Sequence, residues 1–175
     1  MIEKNLSLVS NQIPDNVQLV AVSKTKPSSM IVEAYTAGQR HFGENKALEL
    51  RGKAEELNED IQWHFIGHLQ RNKVKYIVPH VALIHSIDSL RLLKEVNKEA
   101  AKHQKVINCL LQFHIAKESS KFGFSLEEIE ALLAENLLKG LTHVNVVGVM
   151  GMATFTDDKV QVRDEFKTLY TIYAQ

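Results

Sequence analysis

The chain has 175 residues, 45% hydrophobic and 24% charged, with eight glycines, three prolines and one cysteine. That length suits one domain with a sizeable core, and no linker divides it, so residues 1–175 read as a single domain. Lysine plus arginine balances aspartate plus glutamate at 21 each, which argues against a global footprint for nucleic acid or an anionic membrane.

Cys109, within VINCLLQF, has no partner for an internal disulfide; it reads as a small buried hydrophobe in a reducing compartment. No segment reaches the roughly 20 apolar residues that span a bilayer. The opening MIEKNLSLVSNQIP is too polar for a signal peptide. These features predict a cytoplasmic protein.

A leading helix is expected over about 2–12. Short apolar runs then alternate with amphipathic ones. LVAVS (19–23) precedes a helix over 28–38, HFGEN (41–45) one over 46–57, and WHFIG (63–67) one over 69–78. ALIHSID (82–88) precedes a helix over 89–103, VINCLLQFHIA (106–116) one over 125–136, and VNVVGVMGM (144–152) one over 159–174. The first member of each pair is β-branched or aromatic; the second has helical periodicity, as in Leu90, Leu93, Val96 and Ala100. Boundary residues agree: Pro27 near a helix start, Gly38 at a helix end, Asp88 as an N-cap, and Ser125 with Glu128 as a capping box.

Six β–α pairs imply parallel strands and right-handed crossovers. Strands as apolar as VINCLL predict a sheet covered on both faces. Neither a Gly-x-Gly-x-x-Gly turn nor a Walker loop is present to favour an open nucleotide-binding sheet. The expected fold is therefore α/β of the (β/α)8 TIM-barrel type, with only about six of its units in this chain. A full barrel usually needs about 250 residues, so the domain is expected to be incomplete at its C-terminal end.

Functional groups in such folds stand at the C-terminal ends of strands. The first strand ends in Ser23, Lys24, Thr25 and Lys26. Alternation puts Val20, Val22 and Lys24 on one face, where apolar walls would strip a lysine of hydration and free a neutral amine for Schiff-base formation. Lys26 shares that parity but abuts Pro27, whereas Lys24 still belongs to the strand tip. His64 and His68 are four apart, yet His64 lies in a strand, so helical metal-ligand spacing does not apply and no metal site is expected. His85 and His114 read as hydrogen-bonded strand-end residues. Arg71, Lys73 and Lys75 read as a solvated helix face, with no base-stacking aromatic beside them.

LVAVSKTKP, FGENKALE, WHFIGHLQRNK, IHSID, SSKFGF and VVGVMGMATFTDD occur in that order. Together they resemble the YggS/PROSC family of pyridoxal phosphate homeostasis proteins, alanine-racemase-like in their N-terminal domain. The resemblance implies a fold type III barrel with pyridoxal 5′-phosphate held as a Schiff base on the first lysine of VSKTKP, which is Lys24. It implies that Asn45 of FGEN faces the cofactor, with His64 of WHFIG and Met150 of GVMGM at neighbouring strand ends. Later family segments that resemble a phosphate cup are not found before Gln175.

The resemblance favours a cofactor carrier acting in intracellular homeostasis, without clear catalytic turnover. Expected partners are pyridoxal phosphate and pyridoxal-phosphate-dependent apo-enzymes, with no nucleic acid and no membrane, and the protein is expected to be a monomer or weak homo-oligomer. The alternatives are an amino-acid racemase-like enzyme of fold type III and a barrel enzyme acting on a metal or phosphate substrate. Racemisation needs a second acid–base group, which alanine racemases take from a tyrosine; Tyr35, Tyr76, Tyr170 and Tyr173 all fall on predicted helices here.

Overall fold

The structure is a computed structural model describing residues 1–116 and 123–174. Helix α1 (Ile2–Ser10) precedes six strand–helix units. These are β1 (Ala21–Val22) with α2 (Ser28–Thr36), β2 (His41–Glu44) with α3 (Ala47–Glu56), and β3 (Gln62–Phe65) with α4 (Val74–Ile77). They continue with β4 (Val81–Ile87) and α5 (Leu90–Lys102), β5 (Ile107–Phe113) and α6 (Leu126–Ala134), and β6 (Val144–Gly151) and α7 (Lys159–Tyr173). The helix expected over 69–78 is instead a 3-10 turn at Arg71–Lys73 followed by the single turn of α4. Part of the SSKFGF motif, residues 119–122, lies outside the described residues.

The strands pair in parallel in the order β1-β2-β3-β4-β5-β6. A doubly wound sheet reverses its strand order at a switch point. This one never does, so the succession is that of a β/α barrel. Among the described residues the barrel is not closed: β1 and β6 are the edges.

One face of the sheet carries the core. Phe42, Trp63, Phe65, Ile84, Ile107 and Cys109 join Leu50, Val74, Ile77, Leu93, Val96 and Ala100 in one buried cluster. The opposite, concave face is not covered as expected. Val22, Asn108 and Asn145 are exposed there, and Asn145 donates to the Asn108 side-chain oxygen at 3.0 Å. Right-handed crossovers taken in one direction put the connecting helices on the same side of the sheet, which leaves the concave side without a helix over it among the described residues.

The caps largely follow the sequence. Pro27 stands at the N-cap of α2. Gly38 closes that helix with φ +100°, a conformation that suits glycine, and its N–H donates to the Tyr35 carbonyl. The Ser125 hydroxyl accepts from the Glu128 N–H at 3.2 Å, and the Glu128 carboxylate accepts from the Ser125 N–H at 2.9 Å. At α5 the cap is Ser89, not Asp88. The Ser89 hydroxyl accepts from the Leu92 N–H and donates to the Asp88 carboxylate, because β4 ends one residue before Asp88. No helix among the described residues is long and apolar enough to cross a membrane.

Cys109 is fully buried, and burial pushes its thiol up to about 12. Because the thiolate is the reactive form, a thiol-specific disulfide reagent at pH 8 should leave Cys109 unmodified in the native chain and label one thiol once urea is added. Rapid native labelling would mean that the β5 core opens.

Candidate functional site

The C-terminal ends of the strands gather most of the predicted residues. Lys24 sits in the turn after β1 and is exposed. The burial expected of it is not seen: Val22 on the same face is 52% exposed, and β1 is an edge strand among the described residues. Lys26 is exposed as well. Asn45 directly follows β2. His64 is buried on β3, opposite Gly43 of β2. Met150 is partly buried on β6, opposite Gln112 of β5. Lys24 and Met150 therefore lie on opposite edge strands, while Asn45 and His64 belong to adjacent ones.

The turn that carries Lys24 is tied down from below. The Lys53 ammonium of α3, 8% exposed, donates to the Ser23 carbonyl, to Glu44 Oε1 and to Glu49 Oε1, each at 2.8 Å. The Ser23 hydroxyl donates to Glu44 Oε1 at 2.5 Å. Glu49 Oε1 also accepts from the Thr25 N–H at 2.7 Å, and Thr25 has φ 62°, a left-handed conformation that L residues rarely adopt. Burial pulls the Lys53 amine down, but its bonds to Glu44 and Glu49 outweigh that and the net shift is upward. The hydrogen bond from Lys53 holds Glu49 below its ordinary value.

Asn45 is placed by close backbone packing. A Cβ on Gly67 would stand 2.4 Å from the Asn45 carbonyl oxygen and 2.7 Å from its Cα, so the chain can approach only because residue 67 is glycine. Asn45 Oδ1 is buried and has no hydrogen-bond partner. Asn45 lines a cavity of about 310 Å³ together with Lys46, His68, Leu69, Gln70 and Lys73. His68 in turn contacts the Asp88 carboxylate at 3.2 Å.

A chain of three imidazoles crosses strands β2 to β4. His41 Nδ1 lies 2.9 Å from His64 Nε2, and His64 Nδ1 lies 2.8 Å from His85 Nε2. Each contact needs one ring N–H and one bare nitrogen, so the tautomers of all three rings are linked. Burial, then the neighbouring His85 and His41, push His64 down to about 4. Burial also lowers His41 and His85. At neutral pH the chain is therefore uncharged, and it can accept or relay a proton. Among the described residues no cluster suits a metal ion.

The whole chain, residues 1–175, matches the family described as alanine racemase, N-terminal domain. The pyridoxal phosphate homeostasis protein of Vibrio alginolyticus is 33% identical over 186 aligned residues, covering 98% of this chain and 79% of that protein. The chain belongs to the pyridoxal phosphate homeostasis protein family. Its relative in Aquifex aeolicus is 37% identical over 87% of this chain but 66% of that protein, and the match in Escherichia coli K12, at 42%, covers 69% and 53%. The chain thus spans between half and four-fifths of the length of these homeostasis proteins. Its fold superposes on PipY of Synechococcus elongatus, solved with pyridoxal phosphate bound, with a TM-score of 0.89, 34% identity and coverage of 99% of this chain and 81% of that one. An alanine racemase of Clostridium difficile shares the fold alone, with a TM-score of 0.76 at 12% identity over 99% of this chain and 46% of that enzyme.

Sequence reading missed the residues beneath the site. Glu49 and Lys53 are four apart on α3, a spacing common to exposed ion pairs, and nothing local reveals that the ends of β1 and β2 close over them. The imidazole chain was open to detection, because His41, His64 and His85 sit on three successive strands with the parity that faces away from the core.

Proposed function

We propose that this chain binds pyridoxal 5′-phosphate covalently through the Lys24 amine and serves intracellular cofactor homeostasis, delivering the cofactor to dependent apo-enzymes. The observation that carries the reading is an exposed primary amine at the C-terminal tip of β1, in a fold that superposes on PipY with its cofactor bound. The residues present fit the group. Lys24 offers an amine to an aldehyde, the orphaned Asn45 oxygen offers a buried acceptor, Met150 is partly buried on β6, and His64 is buried on β3.

Pyridoxal phosphate supplies an aldehyde joined to an electron-withdrawing ring, and the protein supplies the surface that holds it. Lys24, set in an exposed turn, can take up and release a ligand without a lid having to open. Asn45 is fixed by Gly67 and can orient a polar group. Both His64 nitrogens are engaged by His41 and His85, and the neutral imidazoles add no positive charge at pH 7. The lone buried thiol supports a reducing, cytoplasmic setting.

Mixing the chain with pyridoxal phosphate, reducing with borohydride and mapping peptides by mass spectrometry tests the site. One label per chain on Lys24, lost in Lys24→Ala, is expected; label scattered over many lysines would overturn the assignment. Transfer to a cofactor-dependent apo-enzyme should restore its activity faster than release into free solution allows. Stereoinversion of an amino acid at enzymatic rates would overturn the carrier reading in favour of a racemase.

A further inference from the structure

The lysine-bearing turn has few backbone bonds to hold it: the Ser23 N–H donates to the Gly43 carbonyl at 2.9 Å and the Lys26 N–H to the Ser23 carbonyl at 3.0 Å. β1 is only two residues long and is an edge strand, and the turn after it contains the left-handed Thr25. Such a segment would ordinarily sample many conformations. Here both residues that flank Lys24 are tied to the same pair of α3 side chains. The Ser23 carbonyl accepts from Lys53 at 2.8 Å, and the Thr25 N–H donates to Glu49 at 2.7 Å. Lys53 and Glu49 bond each other at 2.8 Å, one helical turn apart, and Glu44 of β2 anchors Lys53 from the sheet side. Helix α3, strand β2 and the turn are thereby locked into one unit.

We infer that Glu49 and Lys53 are positioning residues that clamp the backbone on either side of Lys24 and so select this lysine over the others of the chain. The inference rests on the reading that Lys24 holds pyridoxal phosphate. Neither clamp residue is required to touch the ligand. They fix where the Lys24 side chain begins, and a reactive group held in one place competes better than one on a mobile loop.

Two substitutions at Glu49 separate clamping from general stability. Glu49→Ala removes the acceptor for the Thr25 N–H. Glu49→Gln keeps an acceptor oxygen of the same reach. The readouts are the ratio of borohydride-trapped label on Lys24 to label on all other lysines, and deuterium uptake by the peptide containing Thr25. In Glu49→Ala the ratio should fall about tenfold, on the scale of one charge-assisted hydrogen bond, and uptake by the Thr25 peptide should quicken by more than the accompanying fall in the urea midpoint accounts for. Glu49→Gln should restore most of both. An unchanged ratio and unchanged uptake in Glu49→Ala would overturn the inference while leaving Lys24 as the site. Absence of selective label on Lys24 in the unaltered chain would overturn the underlying reading, and this inference with it.

Discussion

Lys53→Met should lose about 3–5 kcal/mol of folding stability, the largest loss expected from one polar side chain here. Methionine fills nearly the same volume and removes the charge, so the loss is electrostatic rather than a cavity effect. Glu44 is completely buried, and its Oε2 already lacks a partner. Without Lys53, only the Ser23 hydroxyl remains on its Oε1. A carboxylate in that position is costly, because the penalty for leaving water stays while the compensating ammonium is gone. Glu49 is less affected, since its side chain is 23% exposed and can turn towards solvent. The double variant Lys53→Met/Glu44→Gln should recover at least half of the loss, because the orphaned charge goes too. Urea unfolding followed by circular dichroism measures both. A single variant within about 1 kcal/mol of the parent would mean that the buried triple contributes nothing net, as buried ion pairs sometimes do.

Much of this arrangement was legible along the chain. Alternating short apolar runs and helical periodicities gave six units with most element ends within a few residues, the helix over 69–78 excepted, and the Ser125–Glu128 box and Gly38 marked helix ends correctly, because capping is local chemistry. Tertiary geometry was not local. VINCLL looked like a strand buried on both sides, yet Asn108 within it faces the open concave surface. Val22 and Lys24 were expected to share an apolar wall, but that wall depends on which neighbour lies beyond an edge strand, and no alternation rule supplies this. The Lys53 clamp was hidden for the same reason. A Glu–Lys pair four residues apart is the commonest surface pattern on a helix, and only the fold turns this one inward.

His64 makes the opposite prediction from the clamp: a histidine whose burial sensitises the protein to acid. In the unfolded chain its imidazole takes up a proton near pH 6.5; in the native chain it does so only near about 4. Between those values the unfolded state binds more protons, so stability rises with pH. The contribution is complete above pH 6.5 and is lost as the pH falls towards about 4. It amounts to about 3 kcal/mol at most, with His41 and His85 shifted in the same direction. His80, also lowered by burial, adds to the same window from outside the imidazole chain. Glu49 loses its own contribution only below its ordinary value of 4.5, so the upper part of the window belongs to the histidines. Urea unfolding at half-unit steps from pH 7.5 to about 4.5 should therefore show a steady loss in the parent and a flatter profile in His64→Asn, even though the variant starts lower. Parallel profiles would place the proton uptake elsewhere. A flatter one would show that His64, kept uncharged at neutral pH chiefly by burial, carries the acid sensitivity.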